Sequence, residues 1–156
     1  MRTVRVITMP DDPAIAALPS LFLRMHHEME NQGMMLSLAP NGAQLWLDSV
    51  RNGLERFHRI SIAASGSDLI GFAHASLKLA PEHLGGARIG HIGHVFVLPE
   101  HRRGGTARAL VQELHHWLLD RQVTSTELQV VQGNAAGLAF WRSLGYEVEL
   151  VQLRKR

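Results

Sequence analysis

The 156-residue sequence predicts an α/β (α+β) fold in which a mixed, mostly antiparallel central sheet carries helices on both faces, in the order β α α β β β α β α β. Two observations predict it. Between residues 59 and 98 three strand-like runs follow one another with only turn residues between them, which makes an antiparallel meander. From residue 104 onward helix and strand patterns alternate, and strand, helix, strand implies a parallel crossover.

The elements follow in order. Val4 to Thr8 alternates as a first strand, and Pro10, Asp11, Asp12 and Pro13 supply turn and helix-cap chemistry. From Ile15 to Met29, Leu18, Leu21, Phe22, Met25 and Met29 recur at helical spacing, with Pro19 breaking or restarting the helix. A connection over 31–41 leads to a second helix at 43–56, marked by Leu45, Trp46, Val50 and Leu54. Strands at 59–64 and 69–79 form a hairpin around SGSD, a loop over 80–88 follows, and 89–98 is the next strand. Helix 104–121 shows Leu110, Leu114, Trp117 and Leu118 on one stripe. Strand 125–131, helix 134–144 and a last strand from 146 to 154 complete the chain.

Composition narrows the function. Hydrophobic residues make up 46% and charged residues 19%, so the chain buries a core, and residues 1–156 read as a single domain without repeats or linkers. The absence of cysteine excludes disulfides, thiolate metal sites and a cysteine nucleophile. No signal-peptide core and no run of about eighteen apolar residues is present, so a soluble, cytoplasmic protein without a membrane partner is the simplest placement. The formal charge is +2, and basic residues are scattered apart from HRR at 101–103 and the terminal RKR, so no nucleic-acid surface is expected. HHEME at 26–30 and the pair at 115–116 do not form HExxH, and adjacent helical histidines diverge by about 100°, so no metal is expected.

The most informative stretch is HVFVLPEHRRGGTARAL, residues 94–110. A helix start exposes unpartnered N–H groups and the positive end of the dipole, which favours an anion. Gly104 and Gly105 leave the backbone open to a phosphate, and Arg102, Arg103 and Arg108 add charge around the turn. An ordinary tight turn with solvated arginines is the competing reading. Neither GxGxxG nor GxxxxGK(S/T) occurs, so the anion is not held by a dinucleotide fold or a P-loop.

This stretch resembles the acetyl-CoA signature of the GNAT superfamily of N-acetyltransferases, where a strand ending V-x-P leads into Q/R-x-x-G-x-G/A. Val97 and Pro99 precede Arg102, Arg103, Gly104, Gly105, Thr106 and Ala107 without a gap. NAAGLAFWRSLGYE resembles the second motif, N-x-x-A-x-x-F/Y-Y/W-x-x-x-G-F/Y, through Asn134, Phe140, Trp141, Gly145 and Tyr146. The element order matches the same fold across nearly the whole chain.

The resemblance implies that acetyl-CoA is the cosubstrate and that its pyrophosphate lies on the N–H groups from about Arg103 to Arg108. The fourth and fifth strands would part into a V for the pantetheine arm, bound by main-chain groups of Phe96, Val97 and Val95, with the Val97 N–H polarising the thioester carbonyl. Asn134 bonds the arm or caps its helix. The acceptor is a primary amine on a small molecule or peptide, which attacks directly and needs a base. The resemblance places that base at His91, six before Val97 and of the same strand parity, with His94 as the second candidate; a histidine merely bonded at the sheet surface is the alternative. Three residues apart, the two point to opposite faces unless a bulge intervenes. Trp141 stands where many members have a tyrosine acid, and indole only donates, so the resemblance also admits a non-catalytic acyl-CoA sensor. Met25, Met29, Met34 and Met35 form either an acceptor wall or flexible core packing. Homodimers are frequent among the proteins it resembles.

Overall fold

The computed structural model describes all residues, 1–156. One five-stranded sheet runs β1 (Arg2–Ile7), β2 (His58–Ser65), β3 (Asp68–Leu79), β4 (Arg88–Val97) and β5 (Ser125–Leu128) in that spatial order. The first four strands pair antiparallel with their neighbours, and β5 joins β4 in parallel.

Helices α1 (Leu18–Asn31) and α2 (Gly42–Arg51) cover one face. Asp12 opens this region by accepting from Ala14 N at 2.9 Å, and Arg5 holds the same carboxylate at 2.6 and 2.8 Å. Pro19 falls in the first turn of α1, where a missing N–H costs nothing, so it starts the helix instead of breaking it. The second helix stops at Arg51, earlier than its periodicity predicts, because Gly53 turns the chain and Glu55 sits at φ 66°. Phe22, Leu47, Val50, Ile60 and Phe72 form the core on this face.

The opposite face packs against α3 (Thr106–Asp120) and α4 (Ala135–Ser143). The expected stripe of α3, Leu110, Leu114, Trp117 and Leu118, is buried there with Ala73 and Ile92. Coverage on both sides explains the unbroken buried run over residues 70–75 of β3.

The predicted sixth strand at 146–154 is absent: residues 145–156 form no strand, and β5 ends at Leu128 rather than 131. Alternation marks a segment able to line a sheet, but pairing needs a neighbour with free backbone. Here Val148, Leu150, Val151 and Leu153 stay exposed, and Gln129 donates to Gln152 Oε1 at 3.2 Å in the one side-chain bond between this tail and the end of β5.

Candidate active site

The β4–β5 ladder pairs only residues 89–92 of β4, from Ile89 opposite Ser125 to Ile92 opposite Leu128. From Gly93 to Val97 the strand continues with β3 on one side and no β5 partner on the other. Beyond Ile92 the β4 edge is therefore left open. The Leu98 N–H bonds Ile70 O of β3 at 2.8 Å, so by strand alternation the Val97 N–H and C=O point the other way, into the opening. Consistently, Val97 O accepts from Arg102 Nε at 2.8 Å. By the same alternation the Phe96 N–H and C=O point back to β3 opposite Phe72, so the main-chain role expected of Phe96 is corrected: Val97 and Val95 are the residues that turn their backbone toward the opening.

At the end of β4 a short turn, Pro99–His101, leads into α3. Arg103 at φ 67° and Gly105 at φ 79° take the left-handed conformation on either side of Gly104, a geometry that turns successive N–H groups outward into an anion-binding nest. The N–H groups of Arg103, Gly104, Gly105, Thr106, Ala107 and Arg108 find no acceptor in the protein; the first helical bond runs from Ala109 to Gly105 O. A Cβ added at Gly104 would meet nothing within 4 Å, so the approach is open. Beside it lies a hollow of about 450 Å³ lined by Arg2, Ser65, Ile70, His101, Gly104 and Thr106. These features fit a diphosphate.

The arginines divide. Arg102 turns from the nest to Glu28 of α1, donating at 2.9 and 2.7 Å, and lies over the Phe96 ring. Arg108 reaches Ser143 at 3.4 Å, and Arg103 is exposed. Arg2, which sequence reasoning missed because it lies a hundred residues away, donates to Gly104 O and Thr106 Oγ1 at 3.0 and 3.1 Å and braces the turn.

The histidines are rearranged by a bulge. His94 pairs with His74 and Ile92 with Ala75, which leaves Gly93 as the extra residue. His91 pairs with Ser76, and Ser76 and His74 are two apart on β3, so they share a face. His91 and His94 therefore both face α1 and α2, whereas Val97 packs toward α3. The expectations of opposite faces for the two histidines, and of a shared parity for His91 and Val97, are both corrected by this one residue.

His91 Nδ1 lies 3.3 Å from Glu127 Oε2, which Lys78 Nζ also contacts at 2.8 Å. The Lys78 bond, more than the His91 bond, holds the Glu127 carboxyl below its usual range. His94 packs edge-on against the stacked Phe22 and Trp46, with ring centroids at 4.8 and 5.3 Å, and burial brings its pKa down to about 4. The buried Trp46 Nε1 beside it has no acceptor.

Asn134 caps α4, its Oδ1 accepting from Gly137 N at 2.9 Å. Trp141 is buried, packed against Phe140 and Tyr146. Tyr146 pairs with His115 at 2.7 Å, and burial pushes its hydroxyl up to about 12. Met25 belongs to the core, and the neighbouring His26 is bonded to Leu36 O at 2.8 Å. No three histidine, aspartate or glutamate side chains converge as metal ligands, and no helix is long and apolar enough to cross a membrane.

The chain belongs to the acetyltransferase (GNAT) family, whose profile matches residues 20–146. It is similar to an aminoglycoside N(6′)-acetyltransferase type 1 of Acinetobacter haemolyticus, 27% identical over 67% of this chain and 78% of that protein. A protein of the same description from Acinetobacter baumannii is 26% identical over 76% of this chain and 84% of its own length. Among solved structures, AAC(6′)-Iy in complex with a bisubstrate analog, CoA-S-monomethyl-acetylneamine, superposes with a TM-score of 0.77 at 16% identity, covering 100% of this chain and 99% of that one.

Proposed function

We propose that the protein transfers an acetyl group from acetyl-CoA to a primary amine of an aminoglycoside, by direct attack with both substrates bound. The observation that carries this reading is the pairing of an unpartnered N–H nest over Arg103–Arg108 with a β4 edge that β5 leaves free beyond Ile92. The choice of acceptor is supported by the two relatives named as aminoglycoside N(6′)-acetyltransferases. Those relatives are enzymes, which gives the sensor reading no support.

Bound acetyl-CoA supplies an acyl group activated as a thioester. The nest residues, from Arg103 through Thr106 and Ala107 to Arg108, donate to its diphosphate, helped by the dipole of α3 and the free guanidinium of Arg103. Val97 and Val95 hold the arm by main-chain bonds, and the Val97 N–H stabilises charge developing on the carbonyl oxygen. Asn134 and the buried Trp141 keep α4 in place beside the opening.

The amine approaches from the face that α1 and α2 cover and loses its proton to the histidine pair, His91 and His94. Glu127 fixes the His91 tautomer with the proton on Nδ1, leaving Nε2 basic.

The test is acceptor-dependent release of CoA thiol, with an aminoglycoside bearing a 6′-amine set against the same compound bearing a 6′-hydroxyl. Release with the first and not the second is expected. Release with neither, despite saturable acetyl-CoA binding, removes the aminoglycoside acceptor; no saturable binding removes the reading altogether.

A further inference from the structure

His94 does not stand alone. His74 of β3 and His58 of β2 lie on the same sheet face and continue a row of imidazoles across three strands, and the chemistry proposed above uses neither. His74 Nδ1 is 3.4 Å from His94 Nδ1, and His74 Nε2 is 3.0 Å from His58 Nδ1. The rings are near parallel, at 22° and 25°. His94 closes the row against Phe22 and Trp46, and His58 ends it at the partly exposed start of β2.

We propose that His94, His74 and His58 form a proton wire between the acceptor amine and solvent. It rests on the amine-acetylation reading above and adds to it the path of the protons.

A neutral imidazole has one N–H and one bare nitrogen. His74 spends both on its neighbours, so it donates to one and accepts from the other, and the row has two settings that run in opposite directions. In the outward setting His94 Nε2 is bare. The N–H bond of the ammonium breaks as Nε2 of His94 takes the proton. The Nδ1 proton of His94 passes to Nδ1 of His74, the Nε2 proton of His74 to Nδ1 of His58, and the Nε2 proton of His58 to water. The row is then in the inward setting with no net charge gained. Run in reverse, it carries one proton from water to the acceptor face, where the departing thiolate needs one. The second amine proton leaves through the more exposed His91. The sum is one ammonium proton released for each amide and thiol formed.

Burial favours transfer over storage. Burial holds His74 well below the usual histidine range and His94 at about 4, with His91, His58 and His26 as the other titratable groups facing them, so none of the inner rings keeps a proton at neutral pH. The wire also answers the missing tyrosine: Trp141 cannot give up its indole proton, but His94 in the inward setting can donate.

The space for His74 is reserved by glycine. A Cβ at position 93 would meet His74 Nδ1 at 2.9 Å, so the residue that makes the bulge also admits the middle ring.

Two measurements test the wire on the full chain. In 15N-histidine NMR of the wild type, couplings across both N–H···N contacts are expected. In mixtures of light and heavy water, kcat for acceptor-dependent CoA release should show a curved proton inventory, the mark of more than one proton in flight. His58→Ala and His74→Gln should each lower kcat about tenfold or more, with the KM for acetyl-CoA unchanged. His58→Ala should give a linear inventory and regain rate with added imidazole. His58 opens β2 and is only partly buried, so His58→Ala remains informative where His74→Gln fails to fold. A linear wild-type inventory with His58→Ala at full rate overturns the wire and leaves acetyl transfer standing. Acetyl-CoA binding without acetylation of any amine overturns both.

Discussion

Arg102 grips Glu28 through its two terminal guanidinium nitrogens, at 2.9 and 2.7 Å, while its Nε holds Val97 O at 2.8 Å. One side chain thus ties α1, on the acceptor side, to the strand end that precedes the nest. Both partners are over a third exposed, so the pair contributes at most about 1 kcal/mol to folding. Its role is geometric. Glu28→Ala should change the urea midpoint little yet raise the KM for the amine severalfold, as read from denaturation and steady-state kinetics on the same preparation. A large stability loss with unchanged kinetics would contradict this.

The two glycines of the nest should respond differently to alanine. At Gly104 an added Cβ meets nothing within 4 Å, so Gly104→Ala should leave stability unaltered. Gly105 sits at φ 79°, so Gly105→Ala should cost about 1 kcal/mol. Gly105→Glu adds a carboxylate where the diphosphate is expected, and calorimetric titration with acetyl-CoA should show affinity lost beyond the stability effect.

Acid should unfold the protein through its buried histidines. Their folded pKa values lie below the unfolded value, so between about 6.5 and 4 the unfolded chain binds more protons and stability falls as pH falls. At pH above about 6.5 the full stability is present. For His94 alone, a shift from the ordinary histidine value to about 4 corresponds to about 3 kcal/mol lost across that window. His74 adds to it in the same direction. His94→Phe should flatten the dependence of unfolding free energy on pH over this range, measured by urea titration at several pH values.

Glu127 positions His91 instead of touching substrate. Glu127→Gln keeps the side chain's shape but removes the charge that faces His91 Nδ1 and Lys78. Turnover should drop about tenfold or more and the pH–rate profile should shift, with acetyl-CoA affinity unchanged. Lys78→Met, which spares His91, should have the smaller effect on turnover.

Where a feature is written along the chain, it was legible. The stripe of α3, the meander from β2 to β4 and the turn at Gly104 all depend on neighbours in sequence, and all are present. Features that depend on another strand were not. His58 and His74 look like ordinary strand residues, and their row appears only once the register sets them beside His94. Arg2 and Glu28 meet the signature turn from 102 and 74 residues away. The terminal alternation misled for the same reason, since a pattern of side chains says nothing of whether a backbone partner is within reach.

The bulge at Gly93 makes the histidine face a matter of chain length more than of residue type. Side chains on a strand alternate, so without the extra residue everything before it would count from the other side. Replacing histidines one at a time removes one imidazole each. Deleting Gly93 would spare every imidazole and still scatter them, sending His91 toward α3 while His94 stayed beneath Trp46.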